Sequence, residues 1–101
     1  MTIFYGAKYE QVPAMFDALS CDTRRSILYL LRTPGLTAVD MTSHVGIRPQ
    51  TVSEHLAVLT RSGLVERIGW SRYCVDYRGV RLLDTFIRDH FGDPEPTRRM
   101  F

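Results

Sequence analysis

The chain has 101 residues, 45% of them apolar and 24% charged, with a formal net charge of +2. That length fits one domain with a thin core, and the composition excludes general disorder. No apolar run approaches the ~20 residues a membrane span needs. Met1 to Glu10 mixes aromatics with Lys8 and lacks a charged-then-apolar secretory pattern, so a cytoplasmic protein with no membrane partner is expected.

In chain order, Val12, Phe16 and Leu19 recur at helical spacing within a first helix over about 9–19, with Pro13 tolerated in the first turn. A break at Ser20–Asp22 follows. Asp22 or Thr23 caps a second helix running to about Arg32, with Ile27, Leu28, Leu30 and Leu31 on its apolar face, and Thr33-Pro34-Gly35 stops it. Thr37 is the N-cap of a third helix, with Asp40 in an imperfect capping-box role, Val39, Met41 and Val45 as apolar contacts, and Gly46 as the close. Pro49 opens a fourth helix that runs from Gln50 to about Arg61, with Val52, Leu56 and Leu59 pointing one way, and Ser62-Gly63 ends it.

The period then changes to two. Leu64 to Ile68 reads as a strand, Gly69 to Arg72 as a turn, and Tyr73 to Arg78 as the returning strand, punctuated by Gly79. Val80 to Phe91 is a last amphipathic helix carrying Leu83, Phe86, Ile87 and Phe91, and residues 93–101 are expected to form a flexible tail. The fold class is therefore mainly α with a small β-hairpin (α+β): five helices plus a two-stranded wing, in one domain over 1–101.

A short helix, a glycine-containing turn and a second helix, here about 37–61, make the unit that places a recognition helix in the major groove of duplex DNA. With Val52, Leu56 and Leu59 inward, Gln50, Glu54 and Arg61 project outward, flanked by Thr51, Ser53 and Ala57. Gln50 can make a bidentate amide contact to adenine, Thr51 and Ser53 can bond phosphates or base edges, and Glu54 can accept from the cytosine amino group. His55 falls at the edge of the apolar face, where a half-buried histidine bonded to backbone or phosphate is expected rather than a metal ligand or a catalyst. The hairpin, about 64–78, fits a wing with Arg67 on its first strand and Arg72 at its tip, placed to meet phosphates or a narrow minor groove. Trp70 at the turn is either a packing anchor or a wedge against the sugar backbone.

Charge distribution agrees. Residues 1–46 carry as many acidic as basic side chains, whereas 47–81 hold Arg48, Arg61, Arg67, Arg72, Arg78 and Arg81 against Glu54, Glu66 and Asp76. The positive excess thus falls where a phosphate backbone would be met.

The runs LSCDTRRSIL from Leu19, GIRPQTVSEHLAVL from Gly46, SGLVER from Ser62, and Ser71-Arg72-Tyr73 resemble the ArsR/SmtB family of bacterial and archaeal repressors. The resemblance covers about residues 12–91, and Thr51-Val52-Ser53 with His55, Leu56 and Leu59, followed by Gly63-Leu64-Val65, is its most specific part. It implies a homodimer formed by the first and last helices (here Val12, Phe16, Leu83, Phe86, Ile87 and Phe91), an inverted-repeat operator, and repression relieved by an effector of unknown identity.

Departures narrow that picture. Members that sense metals use thiolates at the start of the third helix, where this chain has Thr37 and Val39. A second family site on the last helix matches Asp84 but meets Phe86 where histidine is expected, and Asp89, His90 and Asp93 do not restore the set. No metal and no other cofactor is therefore expected. Cys21 and Cys74 read as free buried thiols, able to sense oxidants only within ~7 Å of each other. Arg48 stands where a capping Ser or Thr is usual, which removes a cap bond while offering a cation to phosphate. The alternatives are a winged-helix protein-docking module without DNA binding, favoured only by Glu54, and a thiol or metal sensor with a non-standard site. An enzyme is not expected: no nucleophile elbow, phosphate-binding glycine loop or acid/base pair is present, and Ser53 and His55 diverge on a helix.

Overall fold

The computed structural model describes residues 7–92. A 3₁₀ turn, Ala7–Tyr9, precedes α1 (Val12–Leu19), α2 (Asp22–Leu30), α3 (Ala38–Val45) and α4 (Pro49–Ser62). An antiparallel hairpin of β1 (Val65–Arg67) and β2 (Tyr73–Val75) follows, then α5 (Tyr77–Phe91). Register pairs Val65 with Val75, Glu66 with Cys74 and Arg67 with Tyr73. The architecture is five helices with a two-stranded wing. None of these helices is long and apolar enough to cross a membrane.

Several boundaries differ from the sequence expectation, each for a local reason. The first helix begins at Val12, not Tyr9, because a helix through Tyr9 would put Pro13 where its missing N–H leaves the Tyr9 carbonyl unbonded. The returning strand ends at Val75 because the Asp76 carboxylate accepts from the Arg78 amide at 3.1 Å and caps α5, so Tyr77, Arg78 and Gly79 are helical. In the third helix the capping box is complete: the Asp40 amide donates to Thr37 Oγ1 at 3.1 Å and the Thr37 amide to Asp40 Oδ2 at 2.9 Å. Gly46 and Gly63, at φ 72° and 88°, close α3 and α4 in the left-handed conformation. Val39, expected to pack, is 68% exposed.

The core lies under α4. Val52, Leu56 and Leu59 bury completely against Met15, Ile27, Leu31, Met41, Leu64 and Val65, so helices α1 to α3 and the wing all rest on one helix. Truncating such a side chain costs about 2–5 kcal/mol. Side chains tie the ends of the helices together. Arg24 donates to the Ala18 and Asp17 carbonyls at 2.7 and 3.2 Å and Arg25 to the Leu19 carbonyl at 2.6 Å, satisfying the orphan acceptors at the end of α1. Gln11 does the same for α4, donating to the Arg61 carbonyl at 2.8 Å.

A second apolar cluster joins the chain's two ends. Tyr9, Val12 and Phe86 are buried against one another, with Leu82 and Leu83 beside them, and the Tyr9 hydroxyl donates to Asp89. This corrects the expected dimer surface. Val12 and Phe86 are consumed in packing α1 and the 3₁₀ turn on α5 within one chain, and Leu83 is half-buried there. Phe16, Ile87 and Phe91 remain exposed at 43%, 41% and 78%. The tail expected over 93–101 lies outside the described residues.

Candidate nucleic-acid interface

Helix α4 is positioned by its own two faces. Its buried stripe fixes the rotation, and that rotation leaves Gln50, Ser53, Glu54, Ala57 and Arg61 exposed on the other side, with Thr51 half-buried at the margin. Arg48, the exposed N-cap, is extended at φ −70°, ψ 152° and makes no capping bond. Pro49 supplies the first helical φ without needing a partner for an amide.

The hairpin returns along this face. Between α4 and the wing lies an open cleft of about 260 Å³ lined by Ser53, Ala57, Thr60, Arg61, Arg67 and Tyr73. Two guanidinium side chains, one from each element, thus border the same space as the Ser53 hydroxyl. Such a cleft suits an anionic oxygen and contains no base or nucleophile paired for chemistry. Thr60 and Tyr73 are lining residues the sequence reading did not single out. The signal was present in the helical step from Ser53 through Ala57 to Thr60 and in the strand register that sets Tyr73 opposite Arg67. Thr60 contributes its methyl surface, because its hydroxyl is turned back to the Leu56 carbonyl at 2.7 Å.

Two of the sequence candidates sit differently from the rest. His55 is half-buried and faces α2, its Nδ1 3.4 Å from Arg24 Nη1, so its partner is a guanidinium rather than backbone. Arg72 is not at the wing tip. The Ile68 amide donates to the Arg72 carbonyl at 2.8 Å, which leaves Gly69, Trp70 and Ser71 as the tip. Arg72 Nη1 donates to the Gly35 carbonyl at 2.7 Å, fastening the hairpin to the α2–α3 loop. Its charge also lowers the Asp40 carboxyl pKa, a smaller contribution than that of the Thr37 amide and hydroxyl.

Neither cysteine lies in the cleft. Both thiols are free and half-buried. Cys21 precedes α2, and the Arg24 and Thr23 amides pull its thiol pKa down, although the sulfur closes no capping hydrogen bond. Cys74 is pushed up by burial, with Glu66 and Asp76 adding to the effect. Among the described residues no group of three or more His, Cys, Asp or Glu side chains is placed to hold a metal ion. Asp84 is paired with Arg88 at 3.0 Å, and Asp89 is engaged by Tyr9 and Lys8.

Comparison with known proteins agrees with this geometry. A family model described as a helix-turn-helix domain matches residues 19–68. The transcriptional repressor SdpR of Bacillus subtilis is 37% identical over 51 residues, which cover 50% of this chain and 57% of that protein. The match therefore spans little more than half of that relative's length. Among solved structures, an ArsR-like transcriptional regulator from a Rhodococcus species superposes with a TM-score of 0.72 at 25% identity, covering 86% of this chain and 83% of that one. A fragment of a possible transcriptional regulatory protein from Mycobacterium bovis gives a TM-score of 0.65 at 26% identity, covering 86% and 98%. These are regulators and not enzymes, and the helix-turn-helix, the wing and the flanking helices occur here in the same arrangement. The chain thus carries a helix-turn-helix domain over residues 19–68 within the winged fold of these ArsR-like regulators.

Proposed function

We propose that the chain is a sequence-specific DNA-binding transcriptional regulator, a homodimer that represses by occupying an inverted-repeat operator. The observation that carries this reading is the exposed polar face of α4 running beside a cleft bordered by Arg61 of α4 and Arg67 of the wing. With α4 in the major groove, Gln50 reads an adenine edge, Glu54 accepts from a cytosine amino group, and Arg48, Thr51, Ser53, Arg61 and Arg67 hold phosphates. Arg72 joins them with the donors that Gly35 leaves unused. His55 acts through Arg24, as a brace for the helix. A protein-docking role would call for an apolar or acidic face, and only Glu54 and the small Ala57 are of that kind.

Phe16 on α1, with Tyr77, Val80, Ile87 and Phe91 on α5, supplies the exposed apolar surface for a second copy. Two-fold pairing there sets the half-sites about one helical turn, roughly 34–36 Å, apart. Repression, rather than activation, follows the repressor to which half of the chain is similar. The cytoplasm is the compartment this role requires.

Selection from a random-sequence duplex library, followed by anisotropy titration of the recovered duplex, tests the proposal. The logarithm of affinity should fall with the logarithm of salt with a slope of several units, and Gln50→Ala should relax preference at one base pair per half-site. Failure to bind any duplex at about 50 mM salt, where phosphate contacts are strongest, would falsify it.

A further inference from the structure

Trp70 is the chain's single tryptophan, and at 88% it is the most exposed large apolar side chain among the described residues. It belongs to neither apolar cluster, which removes the packing-anchor role within one chain. Yet its backbone is held. Gly69 and Ser71 flank it in the left-handed region at φ 75° and 62°, and the Ile68 amide closes the loop on the Arg72 carbonyl at 2.8 Å. A serine there is disfavoured, and a turn that keeps one while packing nothing beneath it points outward for its purpose.

The surroundings select the partner. Arg67 and Arg72 stand on the same hairpin behind the tip, and the hairpin borders the exposed face of α4. The tip is the end of the hairpin opposite to that at which β2 leads into α5. An exposed indole with cations behind it is matched to a polyanion that has apolar walls, and the minor groove of duplex DNA, about 6 Å wide and lined by deoxyribose, has both.

We propose that Trp70 enters the minor groove flanking the half-site read by α4, its ring against the sugars and its N–H directed at a groove-floor acceptor. The contact reads groove width rather than base identity, making Trp70 a shape-determining residue for the flank of the operator. It rests on the DNA-binding reading above.

With one tryptophan, indole emission reports on Trp70 alone. The full chain is mixed with the duplex recovered by selection, and binding is followed by anisotropy of labelled DNA while emission and acrylamide quenching are followed on the protein. The expected result is altered emission and several-fold weaker quenching in the complex. Trp70→Ala should bind roughly 5- to 30-fold more weakly, as for loss of one buried aromatic contact, with an unchanged salt slope because no phosphate charge is lost. Trp70→Phe should retain most of the affinity, and unchanged circular dichroism in both variants excludes misfolding. Binding by anisotropy with emission and quenching as in the free protein, or with Trp70→Ala as tight as the parent, overturns the inference. So does burial of the indole on raising protein concentration without DNA, which would assign the tip to a second copy. Absence of any anisotropy change removes the DNA-binding reading itself.

Discussion

Gly79 offers the sharpest test of how the chain's end is built onto its centre. It is buried in the first turn of α5 and faces the carbonyl of Gly63, the residue that closes α4. Gly79→Ala sets two effects against each other. In an open helix the change gains about 1 kcal/mol, because glycine loses the most backbone freedom on ordering. Here the new Cβ would lie 2.8 Å from the Gly63 carbonyl carbon, closer still to its oxygen, and 3.4 Å from the terminal methyl of Met15. Ordinary contact needs about 3.5 Å, and the oxygen sets the tighter limit, so α5 must retreat by roughly 1.5 Å. The obstruction is backbone and cannot swing away: the Gly63 amide is itself committed to the Leu59 and Thr60 carbonyls. Retreat opens the packing of Phe86 on Tyr9 and Val12. Overpacking alone costs about 1–3 kcal/mol and partial loss of a buried Phe adds to it, so a net loss of about 2–4 kcal/mol is expected after the propensity gain. For a chain of this size that lowers Tm by roughly 10–25 °C. Thermal and urea unfolding followed by circular dichroism measure it, at matched protein concentration because association shifts apparent stability. Arg81→Ala, exposed on the same helix, serves as the control and should stay within about 0.5 kcal/mol. A Gly79→Ala protein as stable as the parent, or more so, would mean that α5 does not rest on the end of α4.

Arg24→Ala should cost about 1–3 kcal/mol, since it strips acceptors at the end of α1 and leaves His55 without its partner, and urea midpoints read the loss. Acid should destabilise the fold below about pH 4. Asp76, bonded to the Arg78 side chain, Asp40, bonded to the Thr37 amide, and Asp89, bonded to the Tyr9 hydroxyl, all have carboxyl pKa values below the ordinary one. Their stabilisation is complete above the unfolded carboxylate range and disappears as pH falls through the lowered folded values. Asp76→Asn keeps a capping acceptor but no titration, so its acid limb should be shallower; urea midpoints unchanged down to pH 3 in the parent would refute the assignment. Phe16→Glu with Ile87→Glu should yield a folded monomer in sedimentation velocity, and a persisting dimer would move the pairing surface elsewhere.

Much of this architecture is legible in the sequence because its signals are local. Thr37 with Asp40, Gly46, Pro49 and Gly63 mark the ends of α3 and α4 through chemistry confined to four or five residues, and the stripe of Val52, Leu56 and Leu59 sets the rotation of α4. What escaped depends on contacts distant in sequence. Periodicity identifies Val12 and Phe86 as apolar-face residues but cannot say whether that face meets another copy or the opposite end of the same chain. Gly79 reads as punctuation until the Gly63 carbonyl is seen beside it. Arg72 reads as a free cation until Gly35, far upstream, is found accepting from it. Tyr77 alternates correctly with Tyr73 and Val75, yet the Asp76 cap outweighs the strand pattern.

The arrest of the wing bears directly on how the interface works. Two strands of three residues would be marginal by themselves. Here the Gly35 amide donates to the Tyr73 carbonyl at 2.9 Å, the Tyr73 amide donates to the Leu36 carbonyl at 3.0 Å, and Arg72 holds Gly35 from the side, while Val65 and Val75 anchor the base in the core. A wing fixed before DNA arrives spares the complex the entropy of ordering it. Arg72 then has two separable roles, and Arg72→Ala distinguishes them. Loss of a phosphate contact alone lowers the salt slope by about 1 and leaves hydrogen exchange at the Tyr73 amide unchanged. Loss of the tether alone leaves the slope and speeds that exchange, because the opening of a local unit is governed by the bonds that close it. With Nη1 given to Gly35 and the remaining donors directed at solvent, both changes are expected together. Neither change occurring would leave Arg72 as an ordinary solvated side chain, and the rigidity of the wing would then belong to Leu36 and Tyr73 alone.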